Sequence, residues 1–450
     1  MKSVTTLTVF IILVSVLLPF ALMANESVPV YDLEQCTKFA LTSSNRLAIS
    51  QQQVLSAKHN LTKARGSFLP NLSLSRSSST SERTDFDYED PFSGQKSDFE
   101  SKSSYSSNSI NSNLVIFQGM NRFGALKSAK NSLNSAKSDK QYNKQLVVEN
   151  TATAYFDLLR YKELEVVAQE GMTLAGRELE KAETLYRIGS AAKSDVLQAR
   201  VRHKQTQLDL LRASNGVEQA FAQLAYTMNM PLMNKFDIDR SLLDGDYEVS
   251  ALNELYELAL TNRLDLQSLK FQIQAREGDI TSATSSLLPS LSLSSSYSRS
   301  INESEFRFGA QESGNLSYGY SINWNLFDRF QSLSGRSQAK ANKRVAEYNL
   351  SQAELDVQLE VRQLFNAFSE AIERLKLSRE TIGSTEEELR LASERFKVGA
   401  GTMLEKISAQ VNLTSARADE VQAKCDILIN SVKLNRAVGN SLDSMAGSNE

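Results

Sequence analysis

The stretch at residues 186–190, Tyr186-Arg187-Ile188-Gly189-Ser190, returns at residues 396–400 as Phe396-Lys397-Val398-Gly399-Ala400. At the same offset of 210, Ile116-Phe117-Gln118 returns as Leu326-Phe327-Asp328. Repeats that stack into solenoids are about 20–50 residues long, so this period excludes that architecture. The sequence therefore predicts two copies of one large unit, each with a helix, a β-hairpin and two further helices.

The predicted organisation has five parts. They are a signal peptide at 1–24, a first repeat at 25–230, a linker at 231–252, a second repeat at 253–440 and a short tail at 441–450. Lys2, an apolar run from 7 to 18 and a small-residue site ending at Ala24 indicate a cleaved signal. A membrane anchor is the alternative, but the run is short for one. The mature chain is expected to be exported.

Composition narrows the class of function. Without Lys2, 49 of the 50 basic residues remain against 53 acidic ones, and this net charge of −4 does not suggest nucleic acid as a partner. His59 and His203 are too few for most metal sites or histidine-based catalysis, so neither a cofactor nor an enzymatic activity is predicted. An exported chain could join Cys36 to Cys425, but Cys425 lies on an apolar row, which favours two free thiols.

Proline positions define where long helices can form. No proline lies in 92–230 or 290–450, and an internal proline costs a helix about 3 kcal/mol. Apolar residues at three- and four-residue steps predict helices there. Long helices are predicted over 121–186, 194–228, 331–397 and 403–437, and shorter ones over 32–66 and 253–286.

The last helix carries a heptad row. Leu404, Val411, Ala418, Cys425 and Val432 are spaced by seven residues. This pattern predicts coiled-coil packing with the row as its seam. An ordinary amphipathic bundle helix is the alternative for a single segment of this kind.

Two hairpins alternate with period two. Apolar or aromatic residues alternate with Ser, Asn and Gly, which is typical of membrane barrel strands around a watery lumen. A soluble sandwich is the alternative, but isolated hairpins are marginal in water. The residues predicted to face the membrane are Leu72, Leu74, Leu114, Ile116, Leu291, Leu293, Tyr318, Tyr320, Ile322 and Trp324. The charged stretch 81–102 between the first two strands is predicted to be an exposed loop.

Four strands per chain cannot close a barrel. Open edges would leave unpaired backbone groups in hydrocarbon, at several kcal/mol each, so copies of the chain must complete the sheet. The long helices are polar on one side and exceed a bilayer core of about 30 Å, so they must project into the aqueous compartment.

The tandem repeat, the Ile116-Phe117 and Leu326-Phe327 segments and the turns at 186–189 and 396–399 together resemble the TolC-type outer-membrane efflux proteins. The resemblance covers about 30–440. The resemblance implies an α+β membrane protein, in which a tandem-repeat protomer gives four strands to a trimeric twelve-stranded barrel. A long α-helical coiled-coil tunnel continues that barrel into the periplasm of a Gram-negative-type bacterium. It also implies a homotrimer set in outer-membrane lipid, a periplasmic adaptor protein and an inner-membrane transporter as partners.

The resemblance places two sets of site residues. The helical tips that meet the adaptor match Ile188, Gly189 and Ser190 and, in the second copy, Val398, Gly399 and Ala400. Plain turn glycines are the alternative. The periplasmic entrance and its gate match Ser194, Asp195, Phe396, Glu405 and Ser408.

The match at the gate is incomplete. Ser408 replaces a family acid, Phe396 replaces the usual tyrosine and Gly401 replaces the usual arginine. A threefold ring of Glu405 would still attract cations. The alternatives are that Glu405 is a solvated acid favoured by the helix dipole and that Ser194 caps its helix.

The function expected from the resemblance is a passive exit duct of a tripartite efflux pump or type I secretion system, gated at its tips. A periplasmic coiled-coil scaffold is the alternative, and it would not need strands faced with Ser and Asn. The lining does not separate drugs, metabolites and polypeptides as cargo.

Overall fold

The computed structural model describes residues 29–89, 92, 94–232, 236–240, 251–304 and 309–440. At 85–88, 97–99 and 304 it describes the backbone alone. The predicted signal peptide, the predicted tail and most of the predicted linker lie outside these residues.

The described chain consists of short and long helices and two sheets. The strands are β1 (Val30–Tyr31), β2 (Asn71–Glu89), β3 (Lys96–Gln118), β4 (Asp237–Ile238), β5 (Ser290–Ser304) and β6 (Gln311–Asn323). The helices are α1 (Leu33–Ser43), α2 (Asn45–Gly66), α3 (Asn121–Arg187), α4 (Lys193–Thr227), α5 (Leu252–Asn262), α6 (Leu264–Thr284), α7 (Gln331–Lys397) and α8 (Met403–Ala437).

The chain divides into two compact units. Of the described residues, those up to 47, those from 143 to 261 and those from 358 onward form the helical unit, and those from 48 to 142 and from 262 to 357 form the sheet unit. Each unit therefore draws on both halves of the sequence.

The sheet unit contains one antiparallel sheet in the order β2-β3-β5-β6. The two predicted hairpins pair with each other through β3 and β5, where Leu114 lies opposite Leu293. Within the described residues, β2 and β6 are therefore the two edges of a single four-stranded sheet.

The first hairpin is longer than the sequence suggested. The predicted loop at 81–102 was wrong, because β2 continues to Glu89 and β3 begins at Lys96. Cross-strand pairing continues through this charged segment, and Lys102 Nζ lies 2.5 Å from Glu82 Oε1. Backbone pairing and opposite charges stabilise strands here where no apolar alternation marks them.

The long helices agree with the proline-free stretches. The predicted bounds of α3, α4, α7 and α8 are met within one residue. The two shorter predicted helices each contain a break, at Ser44 and at Arg263, which have extended backbone angles. Ser44 Oγ accepts from the amide of Leu47 at 3.4 Å, so a hydroxyl begins the second helix where a continuous one was expected.

The core of the helical unit surrounds Tyr155. This side chain is fully buried, and its hydroxyl donates to the carbonyl of Asp239 at 2.7 Å. Cys36 and Cys425 are both free and buried, as the apolar pattern favoured. Burial raises the pKa of each thiol to about 12, which makes both poor nucleophiles.

The heptad row is only partly a seam within one chain. Cys425 and Val432 are buried, whereas Leu404 is 60% exposed and Val411 is also exposed. In the first half of α8 the buried row runs through Met403 and Leu413. The prediction that all five residues form one seam was therefore wrong for a single chain, and Leu404 and Val411 remain on its surface.

No helix in the described part of the chain is both long and apolar enough to cross a membrane.

A close helix contact in the sheet unit gives a stability prediction. A Cβ on Gly278 of α6 would lie 2.6 Å from the carbonyl oxygen of Gly124 and from the amide of Ser128 in α3. We expect Gly278→Ala to destabilise the protein by about 1–3 kcal/mol, because the two helices would have to separate.

Gly383→Ala is the matched control, since its Cβ would meet nothing within 4 Å. We expect the control to stabilise α7 by about 1 kcal/mol. Urea unfolding followed by far-ultraviolet circular dichroism measures both, and equal midpoints would contradict the contact.

Candidate functional site

The first of the two repeated turns follows α3. The amide of Gly189 donates to the carbonyl of Tyr186 at 3.0 Å, and that of Ser190 donates to Leu185 at 2.8 Å. Gly189 has a φ of +80°. This arrangement is a Schellman motif, in which a left-handed residue satisfies the last carbonyls of a helix.

The second turn, after α7, has the same construction. The amide of Gly399 donates to Phe396 at 3.2 Å, and that of Ala400 donates to Arg395 at 2.9 Å. The φ of Gly399 is +75°. A Cβ on Gly189 or Gly399 would meet nothing within 4 Å. Within one chain, the positive φ angles therefore favour glycine at these positions, and crowding by neighbouring atoms does not.

The following helices begin differently. Thr402 caps α8, since its hydroxyl accepts from the amide of Glu405 at 3.2 Å. The residue before α4 is Ala192, which has no capping side chain, and Asp195 accepts from its amide at 3.3 Å. Ser194 lies inside α4 and is exposed. The alternative that Ser194 caps the helix was therefore wrong.

The predicted gate residues fall into two groups. Asp195 and Phe396 are half-buried and line one cleft of about 560 Å³ between the turns, together with Lys181 and Lys397. Glu405 and Ser408 are exposed on α8. The remaining lining residues are Leu185, Gly189, Ser190, Ala191, Ala192, Gly399 and Gly401.

Gly401 lies close to Glu405. A Cβ at this position would be 3.1 Å from Glu405 Oε2. The position that carries arginine in the resembled family is thus a small residue beside a carboxylate.

A buried ion pair that the sequence did not indicate connects the two turn regions. Lys406 of α8 is 4% exposed, and its Nζ lies 2.5 Å from Glu178 Oε2 of α3. The same ammonium lies 5.7 Å from the ring centroid of Phe396. An apolar cluster of Ala182, Val196, Ala199 and Met403 is buried beside these helix ends.

Lys406 was missed because a lysine on an amphipathic helix normally faces water. Its position becomes recognisable only once Met403 and Leu413, rather than Leu404 and Val411, are known to be buried. The signal in the sequence is the step of three from Met403 to Lys406, which places both on one helix face.

Further ion pairs connect the same helices at other levels. Asp426 of α8 accepts from Arg160 of α3 at 3.0 Å and from Arg374 of α7 at 3.3 Å. Arg436 of α8 lies 2.5 Å from Glu149 of α3 and also pairs with Glu360 of α7. Within the helical unit, α8 is therefore joined to both long helices by charge as well as by apolar packing.

The apolar face of the sheet contains most of the predicted membrane residues. Across β3, β5 and β6, Leu114, Leu293 and Tyr320 are opposite one another. Leu291 pairs with Ile322, and Leu72 and Leu74 of β2 lie on the same face of the sheet. Ile110, Tyr297 and Leu316 belong to the same alternating pattern of the sequence and also lie on this face.

Two predicted membrane residues lie outside this regular pattern. A register shift between Val115 and Phe117 places Phe117, rather than Ile116, opposite Leu291. Trp324 follows the last residue of β6, and its indole donates to the carbonyl of Leu287 at 3.2 Å.

The opposite face of the sheet is polar. Serine hydroxyls hydrogen-bond across strands, with Ser292 to Ser321 at 2.8 Å and Ser296 to Ser317 at 2.7 Å. Asn111 lies in the same row as Ser296. No described group of three His, Cys, Asp or Glu side chains could hold a metal ion.

The comparisons with known proteins agree with this arrangement. A family model described as outer membrane efflux protein matches residues 38–229 and 255–440. The chain belongs to the outer membrane efflux protein family. Its place is accordingly the outer membrane, with an extension into the periplasm.

Individual relatives are distant. Outer membrane protein TolC of Escherichia coli is 25% identical over 322 residues, which are 69% of this chain and 65% of that protein. The pyoverdine export outer membrane protein OpmQ of Pseudomonas aeruginosa is 24% identical over 92% of this chain and 86% of its own length. The solved outer-membrane channel OprN has a TM-score of 0.78 at 19% identity, covering 91% of this chain and 90% of that one, which shows the fold.

The buried ion pair gives a prediction at the turns. We expect Lys406→Met to destabilise the protein by about 3 kcal/mol, because Glu178 would remain as an uncompensated, largely buried carboxylate. Replacing both partners, in Lys406→Met with Glu178→Leu, is expected to recover most of that loss. The measurement is the urea midpoint of each variant.

Arg200→Ala is the control for this prediction. It breaks an exposed pair with Glu183 and should cost less than about 1 kcal/mol. If Lys406→Met behaved like Arg200→Ala, the pair would not be part of the packed structure.

Proposed function

We propose that this chain forms the outer-membrane exit duct of a tripartite efflux pump or type I secretion system. The observation that carries the proposal is the four-stranded sheet, with one apolar face, one face of Ser and Asn, and two open edges. Such a sheet fits hydrocarbon on one side and water on the other, once other copies pair with its edges.

Three copies are the number we propose. Two copies would give eight strands, and a barrel of that size has an interior that side chains fill. Three copies give twelve strands and leave space for a water-filled lumen. The repeats at 25–230 and 253–440 would then supply one hairpin each per protomer, so that six similar hairpins surround the lumen.

The duct is proposed to be passive. Its lumen would be lined by hydroxyl and amide side chains, and these groups supply no nucleophile–base pair or phosphate-binding loop. Family relatives are outer-membrane components of efflux and secretion systems, which supports an inner-membrane transporter as the source of energy and a periplasmic adaptor between the two.

The paired turns are the proposed periplasmic end of the duct. Ile188 and Val398 are exposed apolar side chains beside left-handed glycines, and an adaptor could cover them. The proposed contact set is Ile188, Gly189, Ser190, Val398, Gly399 and Ala400. Asp195 and Phe396 line the cleft between the turns, so movement of the turns would change the shape of that cleft.

Glu405 is the residue proposed to select ions at the entrance. It is exposed in the first turn of α8, where threefold symmetry would place three carboxylates around one axis. Ser194 on α4 and Ser408 on α8 are also exposed, and they would line the entrance without adding charge. A ring of carboxylates attracts cations and repels anions.

A periplasmic scaffold is the alternative function. Its helices would need no exposed Tyr318, Tyr320 and Ile322 on a sheet face, which in water would be a large apolar patch. The scaffold would also remain in the aqueous fraction without detergent.

Conductance in planar bilayers tests the duct. We expect the wild-type oligomer to conduct with a preference for cations. Glu405→Ala should lose most of that preference, because it removes the charge without altering Thr402, which caps the helix. Reversal potentials in a potassium chloride gradient measure the change.

Glu380→Ala is the control, since Glu380 is an exposed glutamate within α7, away from the turns in sequence. Unchanged selectivity in Glu405→Ala would remove this residue from the entrance. A detergent-independent protein with no conductance would favour the scaffold.

A further inference from the structure

The apolar face of the sheet ends at a defined row. Leu74, Ile110, Tyr297 and Leu316 lie opposite one another on β2, β3, β5 and β6. All four side chains are exposed within the single chain. Among the described cross-strand pairs, this is the only row of the face in which all four strands carry an apolar side chain.

The next row on the same face carries two arginines. Arg76 pairs with Asn108, Asn108 with Arg299, and Arg299 with Gly314. Each residue is two positions beyond the apolar row, so its side chain points to the same face about 7 Å further along the strand. Arg76 and Arg299 are two strands apart, which separates their backbones by about 10 Å.

The two arginines differ in their partners. Arg299 is paired with Glu312, and both side chains are about half exposed. In the part of the chain that the structure describes, Arg76 is exposed and pairs with no carboxylate. Arg76 therefore presents all its donors at the margin of the apolar face.

The end of the sheet nearer the helices carries aromatic side chains. Beyond the helix end of β6, Trp324, Phe327 and Phe330 are exposed aromatic side chains. Aromatic residues suit either membrane interface, whereas an unpaired guanidinium is suited to a leaflet that offers anions. The asymmetry distinguishes the leaflet at the hairpin loops from the leaflet at the helices.

We propose that Arg76 and Arg299 form a binding row for the phosphate groups of lipids in the outer leaflet. The planar fork of arginine matches phosphate oxygens bidentately. Acyl chains attached to such a head group would lie along the row of Leu74, Ile110, Tyr297 and Leu316. The inference rests on the proposed function, since it requires the apolar face to contact lipid.

Arg76 is expected to contribute more than Arg299. A phosphate at Arg299 must compete with Glu312, whereas one at Arg76 meets a free donor group. Asn108 lies between them and offers an amide to the same ligand.

Lipid binding to the purified, detergent-solubilised full chain tests the proposal. The probe is short-chain phosphatidic acid, which carries a phosphate monoester, and the measurement is its dissociation constant by calorimetric titration. We expect Arg76→Gln to weaken binding roughly tenfold, because a charge-assisted bidentate contact is lost. Arg76→Gln with Arg299→Gln should weaken it further, and Arg76→Lys should retain part of the affinity.

Arg83→Gln is the matched control. Arg83 lies on the same strand, where it pairs with Ser101. It is an odd number of positions from Arg76, so its side chain lies on the other face of the sheet. Its loss should leave the dissociation constant unchanged. Equal binding by wild type and the double variant would overturn the proposal, as would displacement of the lipid by the same concentration of inorganic phosphate.

Conductance of the same preparations separates this proposal from the proposed function. Channels that conduct normally but bind phosphatidic acid without regard to Arg76 would refute the arginine row alone. Preparations of wild type with no oligomer and no conductance would refute the duct, and with it the lipid contact.

Discussion

The edges of the four-stranded sheet impose the main constraint on this protein. β2 and β6 each have one side without a strand partner in the described chain, while the apolar face between them is suited to hydrocarbon. Unpaired backbone groups cost several kcal/mol each in a bilayer, so no single copy can be stable there. Membership of the outer membrane efflux protein family places the chain in that environment. Association of copies therefore follows from the hydrogen bonding of the backbone as well as from the resemblance to known channels.

In the helical unit, the main constraint is the alignment of very long helices with one another. Apolar packing around Tyr155 is supplemented by buried or half-buried ion pairs at Lys406, Asp426 and Arg436. Such pairs contribute little net stability relative to apolar packing, but a misplaced one leaves a buried charge. They are thus better suited to fixing which helices pack together, and at which level, than to strengthening the unit. The exposed Leu404 and Val411 show that part of the heptad row is not used within one chain.

Much of the fold followed from local rules in the sequence. The absence of proline and the repeated glycines gave the bounds of α3, α4, α7 and α8, because helix ends depend on nearby residues. The extension of β2 and β3 through 81–102 was missed because it depends on cross-strand pairs such as Glu82 with Lys102. Lys406 was missed for a similar reason, since its burial depends on Glu178, a residue 228 positions away in the sequence. Predictions failed where long-range partners override the local pattern.

The most direct test of the account is the protein mass of the detergent-solubilised particle, measured by light scattering with the detergent contribution subtracted. Pairing of β6 of one copy with β2 of the next, around a closed barrel, predicts a particle of three mature chains. A stable monomer that retains its β-sheet signal in circular dichroism would contradict the account, because both edges would then be tolerated without partners.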